Sequence, residues 1–490
     1  MNLKKAIEYL KGETPHLSPA LLQREVTSFV IDSREVKAGD VFFALSQPEY
    51  LENGFNGDFA DSTAFAADAL LKGAVAAVVR RDRFEEHLVK LEAFRDQLIF
   101  VDDVIAAFQR LAHGVYLEWD KPVVAITGSA GKTTAKELTA HVLAASGRNV
   151  LRNIKNYNNG LGHPLTVLRL AADATFDVAV LEMGMSTPLN EIARLCRITP
   201  PDVAVELNVL PVHLEHLGSI ENIAKAKAEL IEGMKPGGTA VLNADDPRVA
   251  AMSGLSKGQV ITYGLDSAAD VTASRVERAG FGNTRFRLNT PDGSAEVEFP
   301  LNGKHNILNA LAAAACGHIF GMTPGEIAIA LSSVAAPPQR GEILRFAAGF
   351  TVINDSYNSN PDALLSMVDT LIEGAPEGSR KIVVAGEMLE LGENGIEIHR
   401  DTGIKIAGRS VDMLIGVRGL AKEMVEGAMS SGIEEASFTS DSDAAGDLLA
   451  SLIRAGDVVL VKGSRGVRTE RVIEILTKKF ELEESRSAAR

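Results

Sequence analysis

Apolar residues along the chain follow two rhythms. Short, nearly continuous runs (VVAIT at 123–127, VAVLEMG at 178–184, VAVELNV at 203–209, TAVLN at 239–243) alternate with stretches such as KTTAKELTAHVLAAS at 132–146, whose apolar positions recur at helical spacing. That alternation predicts a parallel sheet covered by helices on both faces. Residues 256–300 change pattern: VTASRVERA at 271–279 and TRFRLNT at 284–290 alternate apolar and polar, which predicts antiparallel strands. An Ala-rich helix follows at 305–320. The segment AAPPQRGE at 335–342, with two prolines and a glycine, reads as a linker. Beyond it TVINDS, KIVVAGEM, MLIGV and VVLVKGS predict four strands of a second open α/β unit. The first part of the chain mixes short apolar runs (41–45, 74–79) with helical stretches such as 59–72. Its start, MNLKKAIEYLKGETPHL, reads as an amphipathic helix rather than a signal peptide. The polar tail ELEESRSAAR is expected to fray. With 490 residues, the chain divides in this reading into domains at 1–118, 119–335 and 336–490.

Composition narrows the classes. A net charge of −15 argues against non-specific nucleic-acid binding, since little would displace counterions from a phosphate backbone. A local basic pocket for one phosphorylated small molecule stays compatible with it. No apolar stretch approaches the roughly 20 residues of a membrane span, so no membrane insertion is expected. The two cysteines, Cys196 and Cys316, form neither a disulfide framework nor a zinc spacing; they read as core residues in a reduced, cytoplasmic protein. Nothing demands more than a monomer.

Ligands of open α/β sheets gather beyond the carboxyl ends of the strands. Polar residues stand at those places here: 128–134, Glu182, 208–213, Asp355, Glu387 and 462–465. The first is the most specific. Gly128, Ser129, Ala130, Gly131, Lys132, Thr133 and Thr134 follow an apolar strand and open a helix. Small residues let backbone N–H groups close round phosphate oxygens at a helix N-terminus, Lys132 can reach the β- and γ-phosphates, and the Thr133 hydroxyl suits Mg²⁺. The longer G-x-x-x-x-G-K-[ST] spacing is not met, because Ile126 holds its first glycine position.

The shorter T-G-S-A-G-K-T-T loop resembles the phosphate loop of the Mur ligases and of the related folylpolyglutamate synthases. Asn158-Asn159-Gly160-Leu161-Gly162-His163-Pro164-Leu165, INDSYNSNPDAL, GEMLELGE and VLVKGSRGVRTERV also resemble Mur ligase segments, and the likeness runs from Asp32-Ser33-Arg34 to Lys462-Gly463-Ser464-Arg465. The resemblance implies an α/β protein of three domains: a small N-terminal UDP-binding domain, a central P-loop-type parallel-sheet ATPase domain, and a C-terminal Rossmann-like domain that binds the incoming dipeptide. It implies ATP and Mg²⁺ as cofactors. UDP-N-acetylmuramoyl-tripeptide and D-alanyl-D-alanine would be joined through an acyl phosphate.

Residue by residue, the resemblance implies that Thr133, Glu182, His213 and a carbamylated Lys227 hold Mg²⁺. Lys132, His213, Lys227 and Arg340 would serve catalysis, and Asn306, Arg340 and Asp355 would contact the nucleotide. Ser33 and Arg34 would bind the UDP-sugar, Asn158 would contact substrate, and Tyr357, Asn358 and Asn360 would bind the dipeptide. Bare residue statistics favour plainer roles: a surface loop for Glu182 and His213, a helix cap for Asn306, and an Asx turn before Pro361 for the asparagines. Three positions depart from the family pattern. Gln339 stands where some Mur ligases carry histidine, Asn354 where many of the dipeptide-adding branch carry aspartate, and Glu52-Asn53-Gly54-Phe55 replaces the D-G-H-x-F segment.

Two other readings compete. One is a family member adding a single amino acid to UDP-muramoyl dipeptide; its D-N-P-R segment is absent, with Asn358-Ser359-Asn360-Pro361-Asp362 in its place. The other is a nucleotide-binding protein that keeps the fold without catalysis, which the intact set of Lys132, Thr133, Glu182, His213 and Lys227 disfavours.

Overall fold

The structure is a computed structural model describing residues 1–55, 59–154, 156–185, 190–211, 217–278, 280–335 and 337–483. Three sheets follow one another along the chain. The first is wholly parallel, with strands Phe29–Val30, Val41–Phe43, Ala76–Arg80 and Leu98–Val101 side by side in that order. The N-terminal helix Leu3–Leu10 buries Leu3, Ala6 and Leu10, the amphipathic stripe its sequence predicts.

Helix Val104–Trp119 joins the first two sheets. The Asp103 side chain caps it by accepting the Ala106 N–H at 2.8 Å, and Asp120 ends it in the left-handed region. On one side Phe108 packs on Phe43, ring centroids 4.7 Å apart. On the other, the Tyr116 hydroxyl donates to the Pro200 carbonyl at 3.1 Å and the Trp119 indole N–H to that of Phe176 at 3.0 Å. One apolar core therefore runs through both regions.

Glu49 lies buried at the start of that helix. Its carboxyl accepts the Val104 N–H, and those of Ile105 and Ser46 at 3.4 Å. Burial, then the neighbouring Asp103 carboxylate, pushes Glu49 up to about 8, against the pull of the Val104 and Ser46 N–H groups. A carboxyl raised on folding supports the native state fully only below its unfolded value near 4.5, and that support is lost as pH rises through about 8. Glu49→Gln keeps an acceptor without the charge. Wild type is expected to lose stability relative to Glu49→Gln between about pH 5 and 8, by on the order of a few kcal/mol. Urea unfolding at each pH measures this; a gap that stays constant with pH contradicts it.

The second sheet has nine strands, ordered Gly293–Phe299, Thr284–Thr290, Val271–Arg278, Gln259–Gly264, Thr239–Asn243, Val203–Glu206, Val123–Thr127, Val178–Glu182 and Val150–Arg152. From Val271–Arg278 onward neighbours are parallel, while the first two are antiparallel additions. The antiparallel strands foreseen in 256–300 are present. Gln259–Gly264, within the same stretch, instead runs parallel to Thr239–Asn243, because the short helix Pro247–Ala251 returns the chain across the sheet. Helix Lys304–Ile319 packs on helix Lys132–Ala145, its alanines 310 and 312–315 fully buried, so the two helices approach closely.

The third sheet is ordered Glu342–Arg345, Thr351–Asp355, Val458–Lys462, Lys381–Gly386, Met413–Val417 and Glu435–Thr439. Four of these were foreseen. The other two are its edges: Glu342–Arg345 is antiparallel, and Glu435–Thr439 is largely exposed, so neither carries a continuous apolar run. The tail does not fray from its start. Ala347 N–H donates to the Glu481 carbonyl and Glu483 N–H to that of Arg345, both at 2.9 Å, which extends the edge. Residues 484–490 lie outside the described residues. Among the described residues no helix is long and apolar enough to cross a membrane.

Candidate active site between the central and C-terminal domains

A cavity of about 540 Å³ opens where the second and third sheets face each other. Its floor is the loop after strand Val123–Thr127. Gly131 adopts φ +83°, and a β-carbon there would lie 2.7 Å from the Asn309 side-chain oxygen, so glycine is required to pass helix Lys304–Ile319. Neighbouring strand ends hold the loop. Ser129 N–H donates to the Asn208 carbonyl at 2.9 Å, Ala130 N–H to Asn208 Oδ1 at 2.8 Å, and Leu210 N–H to Ser129 Oγ at 2.8 Å. Lys132 Nζ donates to the loop carbonyls of Gly128 at 2.8 Å and Ser129 at 3.3 Å. Burial pushes its ammonium below the ordinary lysine value; Glu182 and Glu206 oppose that, and Arg340 adds to it.

Glu182 ends strand Val178–Glu182 and is buried. Its two oxygens accept from the Thr133 hydroxyl at 2.7 Å and the Asn158 amide at 2.8 Å. The buried Asn153 side chain clamps the Glu182 main chain at both N–H and C=O, at 3.0 and 2.9 Å. Gly184 leaves room for Asn158, whose amide carbon a β-carbon would meet at 2.8 Å. From the other side Arg340 Nη2 donates to Thr133 Oγ1 at 3.0 Å, so the linker residue reaches the phosphate loop directly.

Beneath the loop, Glu206 and Lys227 are both buried, 0% and 2% exposed. Burial pushes the Glu206 carboxyl up to about 8, against the pull of Lys227 and Lys132. Burial and Lys132 push Lys227 down to about 7, with Glu206 opposing. Among the described residues neither Glu206 oxygen has a hydrogen-bond partner, nor does the hydroxyl of Thr127, its neighbour across the sheet.

The C-terminal wall carries Asp355, paired with Lys462 Nζ, which also donates to the Asn358 carbonyl at 2.8 Å. Tyr357 lies under the Arg340 guanidinium, 4.1 Å from ring centroid to guanidinium carbon. Asn360 Oδ1 caps helix Pro361–Gly374 through the Ala363 N–H at 2.8 Å, the plainer role open to it, while the residue still lines the cavity. Asn306 is not a cap: Gly303 holds that position, and Asn306 is buried in the first turn with its amide on the Asn302 carbonyl at 2.8 Å.

Of the residues singled out in the sequence, Ser129 to Thr134, Asn158, Glu182, Asn306, Arg340, Asp355, Tyr357, Asn358 and Asn360 line this one cavity. Lys227 lies beneath it. Ser33 and Arg34 stand apart, beyond strand Phe29–Val30, with Arg34 forked onto Asp32 at 2.6 Å and Lys72 donating to the Ser33 carbonyl at 2.8 Å. His213 lies outside the described residues. Glu387 supports the adjoining helix through the Leu420 N–H at 3.0 Å and does not line the cavity. Asn153, Glu206, Tyr263 and Asn309 were missed. Each belongs to an element that reads as plain strand, loop or helix, and only the sheet order brings them here.

Residues 126–317 match the Mur ligase middle domain, and residues 339–465 the Mur ligase glutamate ligase domain. The chain is 35% identical, over an alignment 512 positions long that covers 97% of each protein, to the UDP-N-acetylmuramoyl-tripeptide–D-alanyl-D-alanine ligase of Mycobacterium bovis. The chain belongs to the Mur ligase family. It superimposes on a MurF from Acinetobacter baumannii with a TM-score of 0.85 at 27% identity, over 97% of this chain and 98% of that one. The MurF ligase of Thermotoga maritima in complex with ADP matches with a TM-score of 0.79 at 28% identity, over 94% and 99%. The three-sheet α/β architecture is that of the Mur ligases. The phosphate loop lies in the matched middle domain, and the match to the last domain begins at Gln339, beside the arginine that touches the loop.

Proposed function

We infer that this Mur ligase joins D-alanyl-D-alanine to UDP-N-acetylmuramoyl-tripeptide with ATP, releasing ADP and phosphate, in peptidoglycan precursor synthesis. The carrying observation is a complete phosphate loop with a C-terminal-domain arginine on its threonine, in a chain similar to MurF ligases over nearly its whole length. Residues 1–118 hold the UDP-sugar with Ser33 and Arg34, residues 119–335 bind ATP, and residues 336–490 bind the dipeptide with Asn358 and Asn360. The protein works as a cytoplasmic monomer.

In the first step the tripeptide carboxylate attacks the γ-phosphorus of ATP, and ADP leaves. In the second, the dipeptide amine attacks the acyl phosphate carbon and phosphate leaves. Two anions meet in the first step, so neutralising charge is the main demand on the protein. Lys132 and the N–H groups at the start of its helix hold the phosphates; Arg340 brings a further positive charge from the linker. Asn306 and Asp355 contact the nucleotide, and Asn158 orients Glu182. Closure of the two domains over the cavity keeps water from the acyl phosphate.

Thr133 and Glu182 present oxygen donors 2.7 Å apart, a fit for Mg²⁺, which takes oxygen ligands and retains waters. His213 and Lys227 would complete a second position. Lys227, lowered to about 7, is in good part neutral at neutral pH, the form able to take up CO₂ as a carbamate. Bound Mg²⁺ supplies further neutralisation of the transferred phosphoryl group.

The test is phosphate release from ATP with UDP-muramoyl tripeptide, comparing D-alanyl-D-alanine with diaminopimelate and lysine. Release with D-alanyl-D-alanine alone is expected. Release with a single amino acid and UDP-muramoyl dipeptide instead would move the protein to the branch that adds one residue.

A further inference from the structure

The side chain of Tyr357 makes contacts that a role in binding the dipeptide does not explain. Two arginines lie near its ring: the Arg340 guanidinium carbon is 4.1 Å from the ring centroid and that of Arg465 is 5.7 Å. Arg340 in turn donates to Thr133 Oγ1 at 3.0 Å. The aromatic face is therefore one link removed from the phosphate loop, on the far side of the arginine.

Arg340 needs such a support. It sits in the linker between Gln339, at φ +62°, and Gly341, at φ +74°, both in the left-handed region, with no helix or strand to fix its direction. The ring comes from the turn after strand Thr351–Asp355 and is itself held. Tyr357 N–H donates to the Gln339 carbonyl at 3.3 Å, and Lys462 fixes the turn that follows through the Asn358 carbonyl and Asp355. A planar guanidinium stacks on an aromatic face and keeps its in-plane donors free, so the ring restricts Arg340 without competing for its hydrogen bonds.

We propose that Tyr357 is a positioning residue whose ring holds Arg340 against Thr133, so that docking of the C-terminal domain and alignment of the arginine on the phosphate loop are one event. The proposal rests on the ligase reading above and replaces dipeptide contact as the task of this side chain. The hydroxyl plays no part in it; the ring does.

Two measurements test it. In steady-state assays Tyr357→Phe stays within about twofold of wild type. Tyr357→Leu lowers kcat about 10- to 50-fold with the KM for D-alanyl-D-alanine within about twofold, the size expected for a desolvated cation–π contact. Adding Tyr357→Leu to Arg340→Ala lowers kcat no further, because both act through one arginine. A raised dipeptide KM at unchanged kcat, or losses that simply add, overturns the proposal. The second measurement needs no turnover: limited trypsin cleavage after Arg340, followed by mass spectrometry. Cleavage at that bond is expected to quicken in Tyr357→Leu and not in Tyr357→Phe; equal rates in all three proteins overturn the proposal. If wild type fails to use D-alanyl-D-alanine, the substrate reading fails and the trypsin rates alone decide the role of Tyr357.

Discussion

Lys132→Ala is expected to lower kcat/KM for ATP by about 10³-fold or more while the protein stays folded. The lysine stands at the first position of helix Lys132–Ala145, where its ammonium donates to the loop carbonyls of Gly128 and Ser129. Those contacts lie within one turn, so their loss costs little stability, and alanine suits a helix position. The charge has no substitute on the loop itself, since its other residues are Gly, Ser, Ala and Thr. Preorganised charge in a partly desolvated site contributes several kcal/mol to a phosphoryl transfer, about 1.4 kcal/mol per tenfold. ADP formation and a thermal melt, run together, measure it. A melting temperature within about 2 °C of wild type is expected beside the lost rate. Turnover within tenfold of wild type would remove Lys132 from the chemistry.

The second large effect is expected from Glu182→Gln. The glutamine keeps the shape and can still accept from the Asn158 amide; its NH2 meets the Thr133 oxygen as a donor where the carboxylate accepted, and the charge is gone. The Asn153 clamp on the main chain holds the position in place. A fall in kcat of about 10²-fold is expected, with the half-saturating Mg²⁺ concentration raised about tenfold or more, as for loss of a charged ligand to a hard cation. Mg²⁺ titration of the rate separates the two readings of this residue. An unchanged Mg²⁺ dependence would leave Glu182 as no more than a hydrogen-bond partner of Thr133.

What could be read along the chain, and what could not, divides by distance. The phosphate loop was legible because its geometry is local: a strand, a glycine forced to φ +83° and a helix start lie within the ten residues VVAITGSAGK, 123–132. Interior strands were legible because both faces are buried, as in Val178–Glu182 and Val458–Lys462. The edge strands Glu342–Arg345 and Glu435–Thr439 were not, since a half-solvated edge needs no apolar run. Pairing of 481–483 with that edge depends on a partner more than a hundred residues away and leaves no local mark.

The site divides the same way. Glu182 and Asp355 stand at strand ends and could be picked out one at a time. That Arg340 would cross to Thr133, 207 residues earlier, follows only from the way the third sheet sits against the second. Glu206 reads along the chain as one polar residue in VAVELNV. Only its parallel partner Thr127 and the helix carrying Lys227 show it to be a buried carboxyl group without a hydrogen bond among the described residues. Asn360 carries the opposite lesson, for its cap on helix Pro361–Gly374 is the ordinary chemistry of an asparagine before proline.

The proposed reaction activates the tripeptide carboxylate by phosphoryl transfer from ATP in this cavity. Turnover of UDP-muramoyl tripeptide labelled with ¹⁸O in its terminal carboxylate tests it most directly. Attack of that carboxylate on the γ-phosphorus, followed by amide formation, predicts ADP and phosphate carrying one ¹⁸O per turnover, only when D-alanyl-D-alanine is present. Unlabelled phosphate, or AMP and pyrophosphate in place of ADP, would contradict it.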